Sequence, residues 1–179
     1  PGGSSQEAER LLRSMRAWIV WEEEGVESSV GLHSAWSYSF VVNGKSDGNA
    51  LGDAPTTIML SLIPATLHPA PEEALVIGLG TGMSAGWLAQ VESIERVDIV
   101  ELEPAVRHIA EVCAPVNYDV LSDPKASFYY VDGREFLLTT DRKYDLIVSE
   151  PSNPWRAGVA SLFSQDFYQH AADRLAPKG

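Results

Sequence analysis

A chain of 179 residues with 45% apolar composition can bury one globular core and a small appendage, but not two full enzyme domains. Its 13 Lys and Arg stand against 25 Asp and Glu, and the formal net charge of -12 opposes the phosphate contacts on which nucleic-acid binding depends. Cys113 is the only cysteine, which excludes an internal disulfide, and no apolar run reaches the roughly 18 to 20 residues that span a bilayer. A cytoplasmic location is expected, with neither nucleic acid nor membrane contacted by this chain.

Residues 1–16 are expected to form a linker and a short helix. Pro1-Gly2-Gly3-Ser4-Ser5 lacks a basic-then-apolar signal pattern, while Leu11, Leu12 and Met15 follow at helical spacing. Residues 17–52 read as a small antiparallel β unit. Trp18, Val20, Trp36, Tyr38, Phe40 and Val42 favour strands, and Gly25, Gly31 and the Asn43-Gly44 pair favour turns. Residues 53–179 then change character: Asp53 is placed to cap a helix from Ala54 to about His68, bent where Pro64 removes a backbone donor.

Short apolar stretches at 74–77, 97–100, 128–131 and 146–148 suit strands buried on both faces. Helical segments are predicted between and after them at Ser84 to Val91, Pro104 to Cys113, Glu135 to Thr139 and Ser164 to Leu175, with Cys113 turned to the core. The alternation predicts a doubly wound, mostly parallel, Rossmann-like α/β sheet with right-handed crossovers. Where the sequence stops at Gly179 such a fold would ordinarily begin another strand, so a truncated sheet, or an edge covered by a partner, is expected.

The chemistry-bearing residues fall at the ends of these strands. Gly78, Gly80 and Gly82 directly follow the first one, where glycines permit a sharp turn and the close approach of a ligand to the N–H groups of a helix start. With Met83 after Gly82, the pattern is G-x-G-x-G and departs from the dinucleotide fingerprint. Glu101 ends the second strand at close to the roughly 20-residue separation expected of a ribose-binding acid, and Glu103 is the alternative for that role. Asp132-Gly133 ends the third strand. Asp132 can accept from an adenine amine or cap the next helix, and taken alone the cap is favoured. Glu150 follows the fourth strand, held near Pro151 and Pro154, where a carboxylate can orient or deprotonate an amine. The histidines show no metal-ligand spacing, and no metal is expected. Trp18, Trp21 and Trp87 are expected in the core.

Over roughly residues 36–179 these features together resemble the spermidine/spermine synthase family, the polyamine aminopropyltransferases. The resemblance is carried by the glycine loop Gly78-Leu79-Gly80-Thr81-Gly82, by Val100-Glu101-Leu102-Glu103, by Val131-Asp132-Gly133, and by the run from Tyr144 through Glu150 to Pro154. The wording is most similar to relatives in which such a domain is fused to transmembrane helices. The resemblance implies a sheet of the S-adenosylmethionine-dependent methyltransferase type, with decarboxylated S-adenosylmethionine or its thioether product held by the glycine loop, Glu101 and Asp132. It also implies a catalytic acid at Glu150 and a homodimer.

Departures concentrate on the second substrate. Thr81 replaces a loop acid, Asn153 replaces the second acid of the fourth-strand motif, Thr56-Thr57-Ile58 stands for a Tyr-His-Glu triplet, Asp47 falls where the family has Gln, and Trp155-Arg156 replaces Gly-Pro. The expected activity is transfer of an alkyl (aminopropyl) group to a small-molecule amine, with Asp47 and Asn153 on the amine side. The alternatives are methyl transfer from S-adenosylmethionine and a non-catalytic nucleoside-binding module.

Overall fold

The computed structural model describes residues 14, 17–34, 37–151, 154–155 and 159–179. Of the helix expected within 1–16, only Ser14 is described, and it is helical; Trp36 and Asn153 lie outside the described residues. Two four-stranded sheets make up the frame. The first is an antiparallel meander of β1 (Ile19–Glu24), β2 (Ser29–Ser34), β3 (Tyr38–Val42) and β4 (Lys45–Asn49), paired in chain order.

Asn43 and Gly44, both at positive φ (50° and 75°), close the β3–β4 hairpin as a pair with left-handed backbone should. β4 was not foreseen, because Lys45-Ser46-Asp47-Gly48-Asn49 carries no apolar alternation; the turn and the pairing with β3 impose the strand. In that pairing Val41 faces Ser46 while Phe40 faces Gly48, so Asp47 is the extra residue of a β-bulge. Gly31, expected in a turn, instead lies inside β2 between Glu22 and Val41. A Cβ there would meet the Trp21 carbonyl oxygen at 3.4 Å, so a small residue suits the middle of this narrow meander.

The second sheet is parallel throughout and runs in the order β7 (Ala126–Tyr130), β6 (Arg96–Glu101), β5 (Glu73–Ile77), β8 (Leu146–Ser149). The first strand in sequence is thus internal, and the strand order reverses beside it, as in doubly wound folds. Alternate residues of β5 enter different cores. Ala74 and Val76 join Val97, Ile99 and residues of α2 (Met83–Ala89) and α3 (Val106–Val112). Leu75 and Ile77 join Val100, Phe136 and Leu137 of α5 (Gly133–Thr139), and Phe167 of α6 (Gln165–Arg174). This two-residue period, with helices on both faces, is why the strands are apolar on both sides. α1 (Ala54–Leu67) precedes β5, and α4 (Ala114–Asn117) follows α3.

Three details differ from expectation. Asp53 does not cap α1 with its side chain: its carboxylate turns back to accept from the Asn49 N–H at 2.8 Å, tying α1 to the end of β4. Trp18 is 51% exposed rather than core, whereas Trp21 packs against the core and Trp87 donates through Nε1 to the Val116 carbonyl. Asp98 interrupts the apolar stretch of β6 yet is fully buried; Arg96 Nε at 2.7 Å and Arg142 Nε at 3.6 Å balance its charge, and the Tyr144 hydroxyl donates to it at 2.9 Å. Cys113 is buried as expected, and burial pushes its thiol up to about 11. After α6, Leu175 makes a parallel bridge to Tyr144, just ahead of β8. No described helix is long and apolar enough to cross a membrane.

Candidate functional site

A cavity of about 730 Å³ opens where the carboxyl ends of the parallel strands face the antiparallel meander. Its lining brings together Gly78, Gly80 and Thr81 after β5, Glu101 after β6, Asp132 and Gly133 after β7, and Glu150 after β8, with Asp47 entering from β4. A volume of this size falls within the roughly 300 to 1,000 Å³ of small-molecule sites.

The glycine loop is built by left-handed backbone. Gly78, Gly80 and Gly82 have φ of 100°, 50° and 79°, which side-chain-bearing residues adopt only under strain. A Cβ on Gly80 would meet nothing within 4 Å, so that face of the loop is open to a ligand. Gly82 is not among the cavity-lining residues: a Cβ there would come within 2.7 Å of Asn117 Nδ2, so this glycine serves packing behind the loop. Asn117, fully buried, donates through Nδ2 to the carbonyls of Thr81 and Ala110 at 2.8 Å each, and its Oδ1 accepts from the Val120 N–H. Sequence reasoning missed Asn117, which carries no local signal; its role exists only because α4 folds back behind the loop. A Cβ on Gly86 would lie 1.9 Å from the Asn117 carbonyl oxygen, which shows how closely α2 approaches α4.

Glu101 stitches the loop to the strand beside it. Its Oε2 accepts from the Leu79 N–H and its Oε1 from the Glu103 N–H, both at 2.9 Å. Burial pushes its carboxyl above the usual carboxylate range, and these backbone bonds pull it part of the way back. A carboxylate has about four acceptor positions, so these backbone donors leave it some capacity to accept from a ligand. Glu103, also on the cavity lining, holds the hairpin above it. Its oxygens accept from the N–H groups of Val26 (2.5 Å) and Glu27 (2.7 Å), anchoring the β1–β2 turn over the cavity. A Cβ on Gly25 would lie 2.7 Å from the Ser28 carbonyl oxygen as well as against that carboxylate, which is why a glycine stands there.

Asp132 does cap α5, accepting from the Arg134 N–H at 2.7 Å, and its carboxylate also holds the Arg134 guanidinium, with Nη2 at 2.5 Å from Oδ2. The Arg134 guanidinium holds this carboxyl below its ordinary range, against the opposing effect of burial.

Glu150 is carried past β8 to the lip of the cavity, where Thr57 Oγ1 of α1 and Ser84 Oγ of α2 donate to its two oxygens at 3.4 and 3.3 Å. Burial pushes Glu150 above the usual carboxylate range, the two hydroxyls lower it, and Asp53 adds to the rise. Long hydroxyl bonds leave this carboxylate free to take a proton. Among the described residues no cluster of three or more metal-ligating side chains occurs.

An open glycine turn beside a buried acid, both at the carboxyl edge of a parallel sheet, is the arrangement in which doubly wound α/β folds hold nucleotides. A spermine/spermidine synthase domain model matches residues 55–179, and the chain belongs to that family. The polyamine aminopropyltransferase of Alkaliphilus oremlandii (strain OhILAs) is 34% identical over 121 residues, covering 68% of this chain and 42% of that protein. That of Streptococcus pneumoniae serotype 4 is 31% identical over 168 residues, covering 94% of this chain and 58% of that protein. The chain thus spans about half the length of the curated relatives it matches.

A solved spermidine synthase in complex with the transition-state analogue AdoDATO superposes with a TM-score of 0.80 at 21% identity, over 88% of this chain and 54% of that one. Spermidine synthase from Thermotoga maritima superposes with a TM-score of 0.77, also at 21% identity, over 88% of this chain and 53% of the other. These likenesses establish the fold as the Rossmann-like, methyltransferase-type sheet expected from the strand and helix pattern.

Proposed function

We propose that the cavity binds the nucleoside part of a sulfonium donor, decarboxylated S-adenosylmethionine or its product methylthioadenosine, and that the protein transfers the aminopropyl group to a small-molecule amine. The observation that carries this reading is the meeting of Gly80, Glu101, Asp132 and Glu150 in one cavity of nucleoside size. The open face of Gly80 admits the ligand backbone-close, Glu101 keeps acceptor capacity for ribose hydroxyls, and Asp132 stands at the purine end. Amine recognition falls to Asp47, Asp53 and Glu150, three carboxylates on the same lining, and to Asn153, assigned by its place in the sequence motif alone. The activity of the similar aminopropyltransferases and the AdoDATO bound in the similar spermidine synthase fit this assignment.

In the reaction, the lone pair of a neutral amine attacks the carbon next to the sulfonium. The new C–N bond forms as the C–S bond breaks, and the C–S electrons return to sulfur to leave a neutral thioether. The nitrogen then carries a surplus proton, which Glu150 takes. The sulfonium is already an activated leaving group, so alignment within the cavity supplies most of the acceleration. Residues 53–179 form the nucleoside-binding unit in this scheme and residues 17–52 the unit that roofs it. The protein works as a homodimer.

The test is release of methylthioadenosine when the full-length protein is incubated with decarboxylated S-adenosylmethionine and putrescine. Glu150→Gln is expected to lower kcat by about 10²- to 10⁴-fold, the usual contribution of a positioned acid or base. No release, or equal turnover by the variant, refutes the assignment. One observation favours methyl transfer as a second reading: Thr81 lines the cavity where the family has an acid, so no loop charge repels the carboxylate of S-adenosylmethionine. Calorimetry with both donors separates the two, since a preference for the decarboxylated form rejects methyl transfer.

A further inference from the structure

We infer that Arg134 sets the base selectivity of this cavity by competing with the purine for the carboxylate of Asp132, a role that rests on the nucleoside reading above. Both residues line the cavity. Asp132 Oδ1 accepts from the Arg134 backbone N–H at 2.7 Å and from Nε at 3.0 Å, while Oδ2 accepts from Nη2 at 2.5 Å and from Nε at 3.2 Å. The guanidinium therefore grips both oxygens in the forked geometry that suits Arg and that Lys cannot copy. With about four acceptor positions on a carboxylate, little is left for a ligand donor. A base amine aimed at Asp132 must displace a permanent cation.

That displacement is feasible. The Arg134 side chain is 44% exposed, and a pair this open to water holds only weakly. Glu27, on the turn roofing the same cavity, already acts on the Arg134 charge and offers the released guanidinium a second carboxylate. Conversely, a base presenting a carbonyl in place of the amine offers Asp132 no donor at that position but can accept from the guanidinium where it stands. Arg134 thus penalises an amino base and tolerates an oxo base, which narrows the discrimination that Asp132 alone would give.

The experiment is calorimetry on the full-length protein with methylthioadenosine and its 6-oxo counterpart methylthioinosine, for the parent chain, Arg134→Ala and Arg134→Gln. Both substitutions keep the backbone N–H that Asp132 caps, and Gln also keeps most of the stem. Each variant is expected to bind methylthioadenosine about two- to five-fold more tightly, the ratio that corresponds to a partly exposed ion pair, and to bind methylthioinosine no better. The amino-to-oxo preference therefore widens. Parent binding with an unchanged or narrowed preference in both variants overturns the role of Arg134 and leaves the nucleoside reading intact. Failure of the parent chain to bind either nucleoside overturns both.

Discussion

Three carboxylates of one cavity are held in three ways, and their burial and partners decide what each can do. Glu101 is fixed by two backbone N–H groups and Asp132 by a guanidinium, whereas Glu150 has only two long hydroxyl bonds. Only Glu150 combines a carboxyl raised by burial with oxygens loosely enough held to receive a proton. The base form is the ionised one, so turnover rises as pH passes upward through the Glu150 titration. The acid limb of the kcat profile is expected above the ordinary Glu value of about 4.3, and Glu150→Gln should abolish that limb along with most of the rate. A limb that persists in the variant belongs to another group.

Asn117 acts from behind the site. Replacing it with Ala removes the donor that the Thr81 and Ala110 carbonyls share and the acceptor of the Val120 N–H. Each buried group left unpaired costs about 1 to 3 kcal/mol, so thermal unfolding of Asn117→Ala is expected several degrees below the parent. Unchanged melting would show that water or a local shift satisfies these groups.

At the scale of elements, one link between the two sheets runs through Glu103. Its carboxylate receives two N–H groups of the β1–β2 turn from a position just past β6. In Glu103→Ala, amide exchange at Val26 and Glu27 is expected to quicken by about tenfold or more while amides of β5 and β6 keep their protection, because only the turn loses its partners. Equal exchange in parent and variant would mean that the turn is held by its own hydrogen bonds.

The parallel strands and their helices were legible in the sequence because burial on both faces writes an apolar run, and because Asp132 stands just ahead of its helix as a side-chain cap. β4 was not, since a polar strand paired through a turn leaves no pattern. Neither was the hold of Glu103 on the β1–β2 turn, which depends on where a distant hairpin lands, nor the grip of Arg134 on Asp132. Asp47 was legible only as a position in the family's pattern; its place in the cavity comes from a bulge that no periodicity announces.

For the whole molecule, strand order places the site. Because β5 lies inside the sheet with β6 on one side and β8 on the other, the ends of all three open into one crevice, and β7 adds Asp132 beyond β6. The meander closes that crevice from above and contributes Asp47. The excess of acidic residues suits the cationic amine and sulfonium proposed as substrates, and charge of this sign also serves solubility.

The most direct test is a crystal structure of the full-length protein with methylthioadenosine bound. The ribose hydroxyls are expected within hydrogen-bond distance of the Glu101 carboxylate, the purine beside Asp132 with Arg134 displaced, and the thioether sulfur pointing toward Glu150. A nucleoside found outside the crevice, or within it but away from Glu101, would contradict the assignment.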